Sequence, residues 1–220
     1  MVRVRIPATT ANLGPGFDVL GMALKLYNYV EMDLTDSGLE IEIFGEGRDS
    51  IPASTDNIVY KAAQKVFSRA GFKAAGLHIR LENNIPASRG LGSSAAALVG
   101  GAVAANALSG YSLDIHELID ITSKMEGHSD NVVPAMAGGI TMCCQLDGKT
   151  IYRRIAPLEV IVGVAVIPFF ELATRDARGV LPKMIPMSDA VFNMGRLSLL
   201  LHAFCLLYTS PSPRDMRRSR

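Results

Sequence analysis

The chain has 220 residues, 49% of them apolar, and its 22 Lys+Arg are nearly balanced by 21 Asp+Glu. That length and apolar content suffice for one large or two small domains with a buried core. A formal net charge of +1 supplies neither a broad basic surface for nucleic acid nor an acidic tail, so any charged ligand must be met by local groups.

At the start, Val2, Val4 and Ile6 alternate with Arg3 and Arg5, the period of a strand rather than the charged-then-apolar profile of a signal peptide. A polar turn follows, in which Gly14, Pro15 and Gly16 predict a tight reversal that presents Asn12 and Asp18 on one rim. Strands are predicted at Tyr27–Leu34, Leu39–Phe44 and Leu77–Leu81, with a helix at Asn57–Ala70 between the last two. Asp56 or Asn57 is the expected N-cap of that helix and Gly71 its stop. Further helices are expected at Ser93–Leu108, stopped by Gly110, at Asp114–Glu126, capped by Asp114, and around Ser188–Phe204. Strands are expected at Ile140–Gln145, Thr150–Ile155 and Val160–Ile167. The whole reads as α+β with mixed sheets. The apolar stretches Ile155–Phe170 and Leu197–Leu207 are broken by Pro157, Glu159, Pro168 and His202 and fall short of a bilayer crossing, so no membrane is expected as a partner. Cys143 and Cys144 would point to opposite faces of a strand and Cys205 stands alone, which suggests no disulfide framework and a cytoplasmic home.

The stretch IPASRGLGSSAAALVGG, Ile85 to Gly101, lies between a predicted strand and an Ala-rich helix pattern. A helix start carries unpaired N–H groups and the positive end of the macrodipole, and glycine lets a backbone approach an anion closely. Phosphate is the natural guest: Ser93 and Ser94 would add hydroxyls, and Arg89 would offset charge. The order is neither GxxxxGK[ST] nor GxGxxG. Small residues that merely permit tight helix packing are the alternative.

IPASRGLGSSAA resembles the ATP-binding signature of the GHMP small-molecule kinases. PATTANLGPGFDVLGMALKLYN and EGHSDNVVPAMAGGITM follow that superfamily's pattern in order and spacing, and within it the chain is most similar to the homoserine kinases from about Val2 to about Phe204. The resemblance implies a GHMP kinase fold: a ribosomal-protein-S5-domain-2-like N-terminal domain over 1–155, then an incomplete ferredoxin-like domain over 156–205. It implies ATP and Mg²⁺ as cofactors and L-homoserine as the small-molecule substrate, with homodimers a family-level expectation. The ATP phosphates would be cradled by Pro86, Ala87, Ser88, Arg89, Gly90 and Leu91, then by Gly92, Ser93, Ser94, Ala95 and Ala96. Ser94 and Glu126 would help to hold the metal, since Mg²⁺ favours hard oxygen ligands; a solvent-facing helix-end carboxylate is the other reading of Glu126.

The acceptor would be oriented by Asn12, Asp18, His128, Asn131 and Arg178. An amino acid's ammonium needs acceptors, which Asp18 and Asn12 can supply, although turn-capping would equally explain either residue. His128, Asp130 and Asn131 fit no zinc spacing, and a lone histidine is more often structural. Arg178, with Arg175 as its neighbour, offers a bidentate grip on a carboxylate or phosphate, or is a surface helix charge. Asn131, Arg178 and Asp130 are the catalytic candidates. Because an amide cannot act as a base, transfer of the hydroxyl proton to phosphate is the preferred route over Asp130. Two readings rival a homoserine kinase: a non-catalytic nucleotide- or metabolite-binding protein of the same fold, and a mevalonate-type kinase of the superfamily.

The final segment, LLYTSPSPRDMRRSR, abandons apolar periodicity. A native basic tail and foreign sequence at the end of a fragment are the two readings, with foreign sequence over 206–220 the expectation. The Gly-Ser-Gly-Pro-type loop and second substrate arginine of homoserine kinases are not found in the chain, and exposed apolar surface with weak or absent activity is expected.

Overall fold

A computed structural model describes residues 1–155, 163–164 and 174–206. The predicted strand Val160–Ile167 falls outside these residues except at 163–164, and so does the segment 207–220.

Two long strands form the spine. β1 (Val2–Asn12) runs antiparallel to β2 (Gly16–Thr35), pairing from Val2 with Met32 to Asn12 with Gly16. The polar turn expected around Asn12 to Asp18 is thus tighter than its sequence suggests: it occupies residues 13–15, and Asp18 already lies in β2. The expected strand at Tyr27–Leu34 is only the second half of β2, since backbone pairing on both edges overrides the glycines that interrupt its alternation.

β3 (Gly38–Gly45) and β4 (Gly76–Asn83) are parallel neighbours joined over the sheet by α1 (Ile58–Ala70), the crossover that parallel strands require. Asn57 is the N-cap, its side chain accepting the N–H of Val59, and Gly71 closes the helix in the left-handed region. β4 pairs with the second half of β2, and β5 (Ile140–Leu146) pairs with Leu20–Met22 near its start. β6 (Lys149–Ile155) completes a six-stranded mixed sheet of order β3-β4-β2-β5-β6, with β1 on the other edge of β2. β4 and β5 therefore share one edge of β2 and leave a gap between them. Buried Asn28 of β2 faces that gap and accepts the N–H groups of Asn84 at 2.7 Å and Ile85 at 2.9 Å, turning the chain out of β4 into the glycine-rich loop.

α2 (Ser93–Leu108) fills the core behind β1 and β2, flanked by α1, α3 (Ile115–Glu126) and the short α4 (Val132–Ala137). Beyond its first turn its surface is apolar except at Asn106, which suits a helix enclosed on most sides. A Cβ at Gly100 would lie 2.6 Å from Val30 Cγ2, and one at Gly101 2.3 Å from the Val59 carbonyl oxygen. Tight packing thus explains the second pair of glycines in the stretch, downstream of the loop. α2 ends at Leu108 with Ser109 as its C-cap, and the expected stop Gly110 follows in the left-handed region at φ 81°. α3 opens on a capping box in which Asp114 and Glu117 each accept the other's backbone N–H. α5 (Thr174–Gly179) and α6 (Met187–Leu206) follow the sheet, and Asn193 of α6 donates to the Pro15 carbonyl at 2.9 Å. Among the described residues no helix is long and apolar enough to cross a membrane.

Candidate active site

The loop from Pro86 to Gly92, the β1–β2 turn, the end of α3 and α5 enclose a cleft of about 530 Å³. Gly92 is the N-cap of α2 at φ 66°, and no side chain caps that helix. The first N–H groups of α2 therefore open toward the cleft, with the positive end of its dipole behind them. A Cβ at Gly92 would sit 1.9 Å from Thr9 Oγ1 and 3.1 Å from Asn131 Oδ1, so only glycine permits this approach of three chain segments. Ser88 and Gly90 also have positive φ, and the Leu91 carbonyl accepts the Thr9 N–H at 3.0 Å.

The loop residues predicted for phosphate divide in two. Pro86, Ser88, Arg89, Gly90, Leu91 and Gly92 line the cleft, as do Ser93 and Ser94 on the first turn of α2. Ala87 is exposed outside the lining, whereas Ala95 and Ala96 are fully buried in the core, and the Ala96 N–H is already bonded to the Gly92 carbonyl. The stretch thus divides into residues that line the cleft, up to Ser94 on the first turn of α2, and residues that pack the helix beyond.

Ser94 Oγ donates to Glu126 Oε2 at 2.8 Å, bringing the two residues predicted for metal together across the cleft. Glu126 is half-buried, not the solvent-facing carboxylate of the alternative reading. A hydroxyl and a carboxylate side by side are the hard donors that Mg²⁺ accepts, so this pair fits the ion.

Beyond α3, the segment 128–131 is held by its own polar groups. Asp130 is 1% exposed, and its Oδ1 lies 2.8 Å from His128 Nδ1. That bond raises the His128 pKa above the ordinary histidine value, against the opposing effect of burial. Asn131 Oδ1 accepts the Thr9 hydroxyl at 2.8 Å. The segment reaches the sheet because Gly21 has no side chain: a Cβ there would lie 1.8 Å from the Asp130 carbonyl oxygen.

Asp18 and Arg178 meet face to face, the guanidinium donating Nη1 to Asp18 Oδ2 at 2.9 Å and Nη2 to Oδ1. The Arg178 guanidinium also lies 5.3 Å from the centre of the Phe17 ring. Asn12 Oδ1 accepts the Asp18 N–H at 2.9 Å, so the turn-capping reading of Asn12 holds, while its side of the turn still lines the cleft. Arg178 belongs to the site and not to a free surface; the side chain of Arg175 lies outside the described residues. Sequence reasoning missed Thr9 and Phe17. Thr9 left a weak signal, a β-branched hydroxyl residue four positions before the turn; Phe17 left none.

The family described as GHMP kinases N terminal domain matches residues 57–139. A homoserine kinase of Carboxydothermus hydrogenoformans is 50% identical over 206 residues, 94% of this chain and 67% of that protein. One of Desulfitobacterium hafniense is 44% identical over 203 residues, 92% of this chain and 68% of the relative. The crystal structure of homoserine kinase from Cytophaga hutchinsonii matches with a TM-score of 0.79 at 31% identity, covering 93% of this chain and 67% of that one. The chain thus spans about two thirds of the length of these relatives.

Proposed function

The chain belongs to the homoserine kinase family of the GHMP kinases, and from that premise we propose that it transfers the γ-phosphoryl group of ATP to the side-chain hydroxyl of L-homoserine. The observation that carries this reading is the convergence on one cleft of an uncapped, glycine-preceded helix start, the Ser94–Glu126 pair and Arg178, which is held from outside the cleft lining by Asp18. The first suits phosphate, the second a phosphate-bound cation, the third a zwitterion.

Phosphoryl transfer asks a protein mainly for positioning and charge neutralisation. The loop from Pro86 to Ser94 receives the nucleotide phosphates on its backbone N–H groups. Ser94 and Glu126 would hold magnesium, which when bound neutralises phosphate charge. Asp18 meets the substrate ammonium and Arg178 its carboxylate, while Asn12, His128 and Asn131 orient the hydroxyl. The hydroxyl oxygen bonds to the γ-phosphorus as the β,γ-bridging bond breaks toward ADP. The proton passes to a phosphate oxygen, because Asn131 is an amide and Asp130 is buried with His128 already bonded to it. The pH–rate profile of Asp130→Asn tests this route: loss of both kcat and the acidic limb would make Asp130 the base.

The reading as a whole is tested by ADP release from purified protein given Mg-ATP with L-homoserine, mevalonate or galactose. Turnover with homoserine alone is expected. Turnover with mevalonate but not homoserine would overturn the substrate, and nucleotide binding without any turnover would overturn the enzyme.

A further inference from the structure

β3 lies at the end of the strand order, and its side chains alternate between the two faces of the sheet. Leu39, Ile41 and Ile43 pack on the core, so Glu40 and Glu42 point to the opposite face, away from the helices. β4 alternates in step. Leu77, Ile79 and Leu81 are buried, and His78 shares the outer face, opposite Glu40 in the parallel register. His78 Nε2 lies 2.9 Å from Glu42 Oε1, and one ligand atom each from Glu40, Glu42 and His78 falls within 4.8 Å of the other two.

The cations around this group are turned elsewhere. Arg80, opposite Glu42 in the register, is stacked over the Phe44 ring at 4.7 Å. Arg3 is paired with Glu31 and Glu82, and the amino terminus of Met1 with Asp33, on the far side of His78. Two carboxylates held this close repel each other. Even a protonated imidazole would bring one charge against their two, whereas a divalent cation brings both.

The donor set selects the kind of cation. Mg²⁺ and Ca²⁺ favour oxygen ligands throughout, whereas Zn²⁺ takes histidine nitrogen and carboxylate oxygen together, often as three protein ligands and a water. At the usual Zn–N and Zn–O lengths, tetrahedral ligand atoms stand about 3.4 Å apart. Rotation of the two glutamate side chains supplies that contraction.

We propose that Glu40, Glu42 and His78 form a surface site for Zn²⁺, separate from the magnesium pair of the cleft, that clips the edge strand β3 to β4. The site stands independently of what the cleft phosphorylates. A clip suits this position, because an edge strand is held from one side and a slip by one residue would turn both glutamates toward the core.

The test uses the full chain carrying Cys144→Ser and Cys205→Ser, which removes the two exposed thiols as rival ligands. Equilibrium dialysis against Zn²⁺, read by elemental mass spectrometry, should find a bound ion that excess Mg²⁺ does not displace. His78→Gln should lose it. Glu40→Gln and Glu42→Gln should each weaken it at least about tenfold, since even groups behind the ligands are worth that much. Glu126→Gln, in the cleft, should leave it unchanged. The three side chains are at least partly exposed, so the variants should fold, as melting curves in EDTA check. Zn²⁺ should raise the Tm of the parent and not that of His78→Gln, because an ion bound only by the folded state stabilises it. Equal binding by parent and His78→Gln, or displacement by Mg²⁺, would overturn the site. Unchanged affinity in either glutamate variant would overturn the three-ligand set, and binding without a rise in Tm would overturn the clip.

Discussion

Thr9 donates its hydroxyl to the side-chain carbonyl of Asn131 at 2.8 Å, joining the first strand to a segment 122 positions away. Through its N–H the same residue holds the Leu91 carbonyl, so one buried threonine sets the distance between the phosphate loop and the acceptor segment. Thr9→Val keeps the shape and removes the donor. The variant should lose about 1–3 kcal/mol in urea unfolding, the cost of an acceptor left unpaired. Its kcat/KM should fall about tenfold or more, because misplacing a positioning group is costly, and Thr9→Ser should recover most of both. Unchanged kinetics in Thr9→Val would remove the positioning role.

Glu126 shares a hydrogen bond with Ser94 on the first turn of α2. Glu126→Gln preserves volume and that bond's geometry but loses the charge a hard cation needs. Half-maximal activity should then require about tenfold more Mg²⁺, with little change in thermal stability. A magnesium titration that does not move would place the cation on other groups.

His128 carries a pKa raised first by its bond to Asp130 and lowered in part by burial. A raised folded-state value means that the charged pair stabilises the fold fully below the unfolded value of 6.5 and ceases to do so as pH rises through the folded value. The melting difference between wild type and His128→Asn should therefore be largest in mildly acidic buffer and shrink toward alkaline pH. A proton NMR titration should find His128 above the ordinary value in wild type and lower in Asp130→Asn. A melting difference that grows with pH would contradict the pairing.

Cys143 and Cys144 are neighbours with opposite fates. Burial pushes the Cys143 thiol up to about 11, and it is 3% exposed, whereas Cys144 faces solvent. Since the thiolate is the reactive form, native protein near neutral pH should be modified at Cys144 and not at Cys143 until it unfolds. Equal labelling rates in peptide mass spectrometry would show that β5 does not hold this register.

Gly90 and Gly92 both have positive φ, but a Cβ would meet nothing within 4 Å at Gly90 and would collide with Thr9 at Gly92. Gly90→Ala should cost about 1–2 kcal/mol, the strain of a left-handed residue. Gly92→Ala should cost more and abolish nucleotide binding as well, because the clash displaces the start of α2. Equal effects of the two substitutions would mean that strain alone sets the cost.

Much of this protein could be read from local rules. Amphipathic spacing, Asn57, Asp114 and Gly71 marked α1 and α3 nearly to the residue, since caps and periodicity act within a few positions. The stretch from Ile85 to Gly101 announced a loop opening a helix, and the motifs around Asn12 and His128 announced the family. What a single sequence could not reveal was pairing at long range. The full length of β2 depends on neighbours along both edges. Asp18 and Arg178, 160 positions apart, meet only once α5 is in place beside the turn. Thr9 belongs to the site only because Asn131 arrives opposite it. Local chemistry is written along the chain, whereas a contact distant in sequence exists only after the sheet and its helices have packed.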